Sequence, residues 1–233
     1  MRDEFFGDIN DYRKYGLLRE LVGDGDLRLG VCWMRTRNRK FAYLDSPGEW
    51  ERYDPKLYSE LQNSCKERGR WGVKRVEQSG LLACAVFYGY LVPHRAADRK
   101  NYFEEMLNEF RNVDLIFFDP DNGLEIDGKS GGANPSPRYL YYCEVREAFK
   151  RSHSLLIYQH LPRLARDKVI KQRASKVSES TGGAQVHWIL TPDVLFLLVM
   201  QREHVGVLLP RVERFLGGEW SRQIKGYGAY PSH

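Results

Sequence analysis

A chain of 233 residues, 42% hydrophobic and 29% charged, is long enough to bury a substantial core, and one α/β domain spanning 1–233 is the expected organisation. Its longest apolar run, "VLFLLVM" (194–200), is far short of the roughly 20 residues a membrane-crossing helix needs, so no membrane partner is expected. A net charge of +5, from 36 Lys and Arg against 31 Asp and Glu, is compatible with RNA or DNA as partner but does not select it.

The opening "MRDEFFGDIND" is acidic and lacks the basic and apolar regions of a signal peptide, so the cytoplasm is the expected compartment. Apolar residues at helical spacing then predict a helix over 11–21, with Asn10 or Asp11 as N-cap and Gly23 as stop. "LRLGVCWM" (27–34) and "FAYLD" (41–45) read as strands around a basic turn. A helix over 54–69 has Asp54 as cap, Pro55 in its first position and Gly69 as terminator. "GLLACAVFYGYLV" (80–92), apolar all round, reads as a buried helix. An amphipathic helix over 97–112 leads into the strand 114–118, and "DGKSGGANPSPRY" (127–139) reads as a mobile loop over the site or as a plain surface loop. Next come a helix over 139–152, a strand over 154–160, a basic helix over 162–178, and strands 186–190 and 194–200 joined by "TPD" as a terminal antiparallel hairpin. The four cysteines, Cys32, Cys65, Cys84 and Cys143, form no CxxC pair, which argues against a zinc knuckle or redox pair. This rhythm predicts a Rossmann-like three-layer α/β/α sandwich whose sheet is mostly parallel.

In such a sheet ligands bind beyond the carboxyl ends of the strands. Asp119, Asp121 and Asn122 stand at one such end, and Tyr158, Gln159 and His160 at another. A plain turn also accounts for "DPDNG", with Pro120 at the corner and Gly123 at positive φ, and His160 alone reads as a packing or capping residue. Three basic clusters, Arg35, Arg37, Arg39 and Lys40 at one place, 66–75 at a second, and Arg163, Arg166 and Lys171 within 163–176, read either as solvated faces or as phosphate contacts.

"GDINDYRK", with Gly7, Asp11 and Lys14, resembles the Gly-x-x-x-Asp-x-x-Lys motif near the N-terminus of bacterial S-adenosylmethionine-dependent methyltransferases that modify an adenine N6 of large-subunit ribosomal RNA. "DPDN" (119–122) resembles the (D/N/S)PP(Y/F) motif of amine-directed methyltransferases in its first two positions; Asp121 replaces the second proline and Asn122 the base-stacking aromatic residue. "FAYLD" with "SPGEWERYD", and "QSGLLACAVF", resemble further blocks, in the same order, over residues 6 to 200. The resemblance implies methylation of a base amine. Asp119 would accept its N–H and the Pro120 carbonyl would offer a second acceptor, with Asp121, Asn122 and His160 beside them. Lys14, counted with the catalytic set, would lie near the cofactor or the target base, and Lys14, Asp45, Gly48 and Ser79 would contact S-adenosylmethionine. Asp119 would then lie beyond the core, replaceable without unfolding the chain.

"IFFDPDNGLEI" also resembles the nucleophile loop of haloacid-dehalogenase-type phosphatases, in which Asp119 and Asp121 would work with Mg²⁺. A broader alternative is a nuclease or phosphodiesterase holding Mg²⁺ or Mn²⁺ through Asp119, Asp121 and Glu125, with His160 beside them. A non-catalytic nucleic-acid-binding module on the same fold remains a further alternative.

Overall fold

The computed structural model describes residues 7–23, 25–35, 47–66, 74–82, 85–126, 135–162 and 165–231. The first helix, α1 (Ile9–Val22), starts at Asp8, whose carboxylate accepts from the Asp11 N–H at 2.6 Å. Asp11 is therefore not the cap, and neither is Asn10; the Asp11 carboxylate turns back to accept from the Gly7 N–H at 2.8 Å. Gly23 ends the helix at φ +58°, as its sequence position predicts.

The chain continues through β1 (Leu29–Cys32), the short α2 (Pro47–Trp50), α3 (Pro55–Lys66), α4 (Lys74–Ser79), β2 (Val86–Tyr88), α5 (Ala96–Glu109) and β3 (Leu115–Phe118). It then forms β4 (Gly123–Leu124), β5 (Tyr139–Leu140), α6 (Tyr142–Lys150), β6 (Ser154–His160), α7 (Arg166–Ser180), β7 (Val186–Leu190), β8 (Val194–Val199), α8 (Val205–Gly217) and β9 (Gly226–Tyr230). Asp54 caps α3 by accepting from the Leu57 N–H at 3.0 Å, as expected. The strand expected at 41–45 and the terminator Gly69 lie outside the described residues.

Seven strands form one sheet in the order β2-β1-β3-β6-β8-β7-β9. The pairings from β2 to β6 are parallel and those from β6 to β9 antiparallel, so the sheet is mixed. Side chains alternate between two apolar clusters. Leu29, Val31, Leu115, Phe117 and Leu156 pack with α1, α3 and α8, while Cys32, Ile116, Phe118, Leu155 and Ile157 pack with α5, α6 and α7. Because the chain leaves β1 for β2 on one side and returns to β3 on the other, the crevice at their carboxyl ends is the topological switch point of the sheet.

Two expectations are corrected. No helix forms among the described residues of 80–92; Val86–Tyr88 are instead the parallel edge strand β2, with Val86 37% exposed, and a short apolar run does not distinguish strand from helix by periodicity. Of the loop expected over 127–139, residues 127–134 lie outside the described set; at its far end β5 pairs with β4 and Arg99 donates to the Ser136 and Tyr139 carbonyls. Strands β7 and β8 pair antiparallel but do not close the chain, since α8 and β9 follow and β9 pairs with β7. Among the described residues no helix is long and apolar enough to cross a membrane.

Helices α5 and α6 are joined by a buried ion pair, Arg99 Nε to Glu144 Oε1 at 2.6 Å and Nη2 to Oε2 at 2.9 Å, with the guanidinium between the Phe103 and Tyr141 rings. Removing one partner of such a pair leaves the other charge buried and uncompensated. Glu144→Ala is expected to cost about 3–5 kcal/mol in urea denaturation. Glu104→Ala, which breaks the more exposed pair with Arg151, is expected to cost no more than about 1 kcal/mol.

Candidate functional site

The site is built from the start of α1 and the carboxyl ends of β3 and β6. Asp8, Asp11 and Lys14 follow one another at intervals of three, so α1 carries them along one side. Lys14 Nζ lies 2.6 Å from Asp11 Oδ1 and 2.8 Å from Asp119 Oδ2, and the lysine side chain is 1% exposed. The Tyr15, Trp33, Tyr158 and Phe117 ring centroids lie 4.9 to 5.9 Å from the same nitrogen. Burial alone lowers the Lys14 pKa, but the Asp11 and Asp119 carboxylates outweigh it and hold the group above its ordinary value, as an ammonium ion.

The carboxylates respond in the opposite sense. Burial raises the Asp11 pKa against the opposing charge of Lys14, while Asp119 adds to the rise. Burial and the neighbouring Asp11 charge push half-buried Asp8 up to about 7. The start of α1 therefore holds a proton reservoir that works near neutral pH.

Beyond β3 the chain makes a tight turn, with the Gly123 N–H donating to the Pro120 carbonyl at 3.3 Å. Buried Gln159 holds this turn from β6: its Oε1 accepts from the Leu124 N–H at 2.9 Å and its Nε2 donates to the Asn122 carbonyl at 3.2 Å. Gly123 has φ +89°, and a Cβ there would overlap the Gln159 amide. The glycine of "DPDNG" is thus required twice, by the backbone and by the approach of Gln159.

All six residues assigned to catalysis meet in one cavity of about 310 Å³: Lys14, Asp119, Pro120, Asp121, Asn122 and His160 line it, joined by Asp8, Asn10, Asp11 and Tyr158. Asp119, however, is 3% exposed and tied to Lys14, so it belongs to the core as much as to the cavity. The expectation that it lies beyond the core is corrected: the β3 ladder extends to its backbone, with the Asp119 N–H donating to the Cys32 carbonyl at 3.1 Å.

Of the residues assigned to the cofactor, Lys14 lines this cavity, whereas Gly48 and Ser79 do not. Gly48 is exposed at the start of α2, with open space where a Cβ would stand. Ser79 closes α4 locally, its Oγ donating to the Val76 carbonyl and accepting from the Leu81 N–H. Asp45 lies outside the described residues, as do Arg37, Arg39, Lys40 and Arg163. Arg35 follows β1 at the carboxyl edge and donates to the Gly89 carbonyl at 3.2 Å; exposed Arg166 opens α7 at the same edge and donates to the Pro192 carbonyl at 2.9 Å. Lys171 is exposed about 7.5 Å further along α7, away from that edge.

The set proposed to hold a metal is not assembled. The Glu125 carboxylate accepts from the Tyr142 N–H at 2.7 Å and so serves the start of α6. Among the described residues no group of three or more His, Cys, Asp or Glu side chains is arranged to hold a metal ion. Two contributors carried no assigned role in the sequence reading: Asp8, which the three-residue spacing with Asp11 and Lys14 identifies, and Tyr158, which alternation along β6 places on the α1 side of the sheet. No protein-family model matches the chain, and no curated protein matches it significantly in sequence.

Gly123→Ala is expected to cost at least about 1–3 kcal/mol, measured by urea denaturation, because the left-handed backbone and the amide overlap act together. Asp8 supplies a pH test. Its pKa is about 7 in the fold against 3.8 ordinarily, so between those values the folded chain binds more protons and stability falls as pH rises. Asp8→Asn keeps a capping oxygen and removes this titration. Thermal melts should show the variant matching the wild type below pH 4 and gaining on it progressively up to about pH 7.

Proposed function

We propose that the chain is an S-adenosylmethionine-dependent enzyme that methylates an exocyclic amine of a nucleic-acid base, on a Rossmann-like three-layer α/β/α fold. The observation that carries this reading is the 2.8 Å contact between Lys14 and Asp119, which joins the helix bearing Gly7, Asp11 and Lys14 to the strand ending in Asp119-Pro120. The two stretches that resemble methyltransferase motifs thereby become one site at the carboxyl edge of the sheet, beside its switch point.

The donor set supports the same chemistry. Four carboxylates, from Asp8, Asp11, Asp119 and Asp121, face one ammonium in the cavity. Such a wall favours a cation and N–H donors and repels a bare phosphate. The cofactor would supply a methyl group carried on a positively charged sulfur, whose charge these carboxylates suit. Arg35 and Arg166 lie at the same edge and would meet phosphates outside the cavity. The base would enter an acidic interior while its backbone stays on a basic rim.

Asp119 would accept a hydrogen bond from the amine, localising a lone pair otherwise delocalised into the ring and stabilising the positive charge that develops on nitrogen. Lys14 fixes that carboxylate in position. The Pro120 carbonyl closes the 120–123 turn with one lone pair and has a second to offer the amine. The proton released by the methylated amine would pass to the carboxylates, where Asp8, at about 7, holds it near neutral pH.

The test combines calorimetric titration with a transfer assay. The wild type is expected to bind S-adenosylhomocysteine saturably without Mg²⁺ and to transfer labelled methyl groups to oligonucleotides. Asp119→Asn is expected to keep that binding and lose about 10²-fold or more in kcat. Absence of cofactor binding, together with Mg²⁺ binding that Asp121→Asn abolishes, contradicts the proposal.

A further inference from the structure

The methyltransferase motif that "DPDN" resembles carries a base-stacking aromatic residue where this chain has Asn122, but the cavity does not lack an aromatic wall. Tyr158 of β6 lines it, with its ring edge-on to Phe196 of β8 at 5.8 Å and its centroid 5.8 Å from Lys14 Nζ. The contact with Phe196 fixes the ring before any ligand arrives. Its hydroxyl makes no hydrogen bond to any described residue, although it shares the cavity with the acceptors Asp8, Asp11 and Asp119. Burial and the charges of Asp8, Asp119 and Asp11 hold the phenol well above its ordinary pKa, so it remains an O–H donor.

We propose that Tyr158 is a specificity-determining residue of this site, its ring stacking on the acceptor base and its O–H donating to the ring nitrogen beside the reacting amine. This rests on the methyl-transfer reading. Asp119 accepts and Tyr158 donates, so the pair complements an amino group next to an unprotonated ring nitrogen. That pattern occurs at N6 and N1 of adenine and at N4 and N3 of cytosine, the edge that enzymes read on an extruded base. On its Watson–Crick edge guanine offers N–H donors at both N2 and N1 and leaves the phenol unmatched; uracil and thymine have no amine. The substrate class is therefore a 6-aminopurine or 4-aminopyrimidine base. A matched pair of this kind discriminates by roughly ten- to a hundredfold.

The experiment compares methyl transfer to oligonucleotides carrying one adenine, one 1-deazaadenine or one 7-deazaadenine, with cytosine and 3-deazacytosine as the parallel pair. Binding of S-adenosylhomocysteine is measured alongside. For the wild type, loss of N1 (or cytosine N3) is expected to lower kcat/KM about tenfold or more, while loss of N7 has little effect. Tyr158→Phe should show the lowered kcat/KM on the natural base and no further penalty on the 1-deaza base. Tyr158→Leu should also raise KM, because the stacking face is gone. A purely structural role for Tyr158 does not make the penalty depend on a single ring nitrogen. A 1-deaza penalty of equal size in the wild type and Tyr158→Phe overturns the assignment while leaving methyl transfer standing. Equal wild-type rates on adenine and 1-deazaadenine overturn it even if the variants fail to fold. A wild type that binds no S-adenosylhomocysteine removes the underlying reading and this one with it.

Discussion

An ammonium ion buried under four aromatic rings is tolerable only if its charge is matched, and Lys14 is matched by two carboxylates from distant parts of the chain. That requirement links α1 to the end of β3 and determines which side of the helix faces the sheet. It also accounts for the start of α1: with Asp11 turned toward Lys14 and the Gly7 N–H, the cap falls to Asp8. The cavity is what remains in front of this charge cluster.

The same electrostatics arranges the surroundings. Placing Asp8, Asp11, Asp119 and Asp121 around one lysine gives an excess of negative charge, which the fold reduces by raising the Asp8 and Asp11 pKa values and by the buried Arg13 guanidinium acting on Asp8. The arginines of this edge are kept outside, engaged with backbone carbonyls near the ends of β2 and β7. Gln159 completes the arrangement without contributing charge, since its amide satisfies the backbone of the acidic turn on the side away from α1.

Much of this was legible in the residues. The strands 115–118 and 154–160 announce themselves as apolar runs ending abruptly in polar groups, and Asp54-Pro55 marks the start of α3. Edge strand β2 was not legible because its apolar run has no distinguishing period. The segment after β8 reads as punctuation, since Pro210 lies inside α8 and glycines crowd 217–228. Two of those glycines are there for packing: the Trp188 ring lies where a Cβ at Gly228 would stand and would crowd one at Gly226. Gly48 and Ser79 were assigned by pattern alone, and pattern carries no information on which end of the sheet a turn faces. Tyr158 could be placed by alternation, but its relation to Lys14 depends on where α1 crosses the sheet.

The central claim is that Lys14 and Asp119 act as one unit holding fold and site together. A double-mutant cycle of Lys14→Met and Asp119→Asn, read by urea denaturation at pH 7, tests it directly. Each single change is expected to cost about 3–5 kcal/mol, because it leaves a buried polar or charged partner unmatched. The double variant should cost at least about 2 kcal/mol less than their sum. Additivity within about 0.5 kcal/mol would contradict the account, since it would mean that the two groups do not depend on each other.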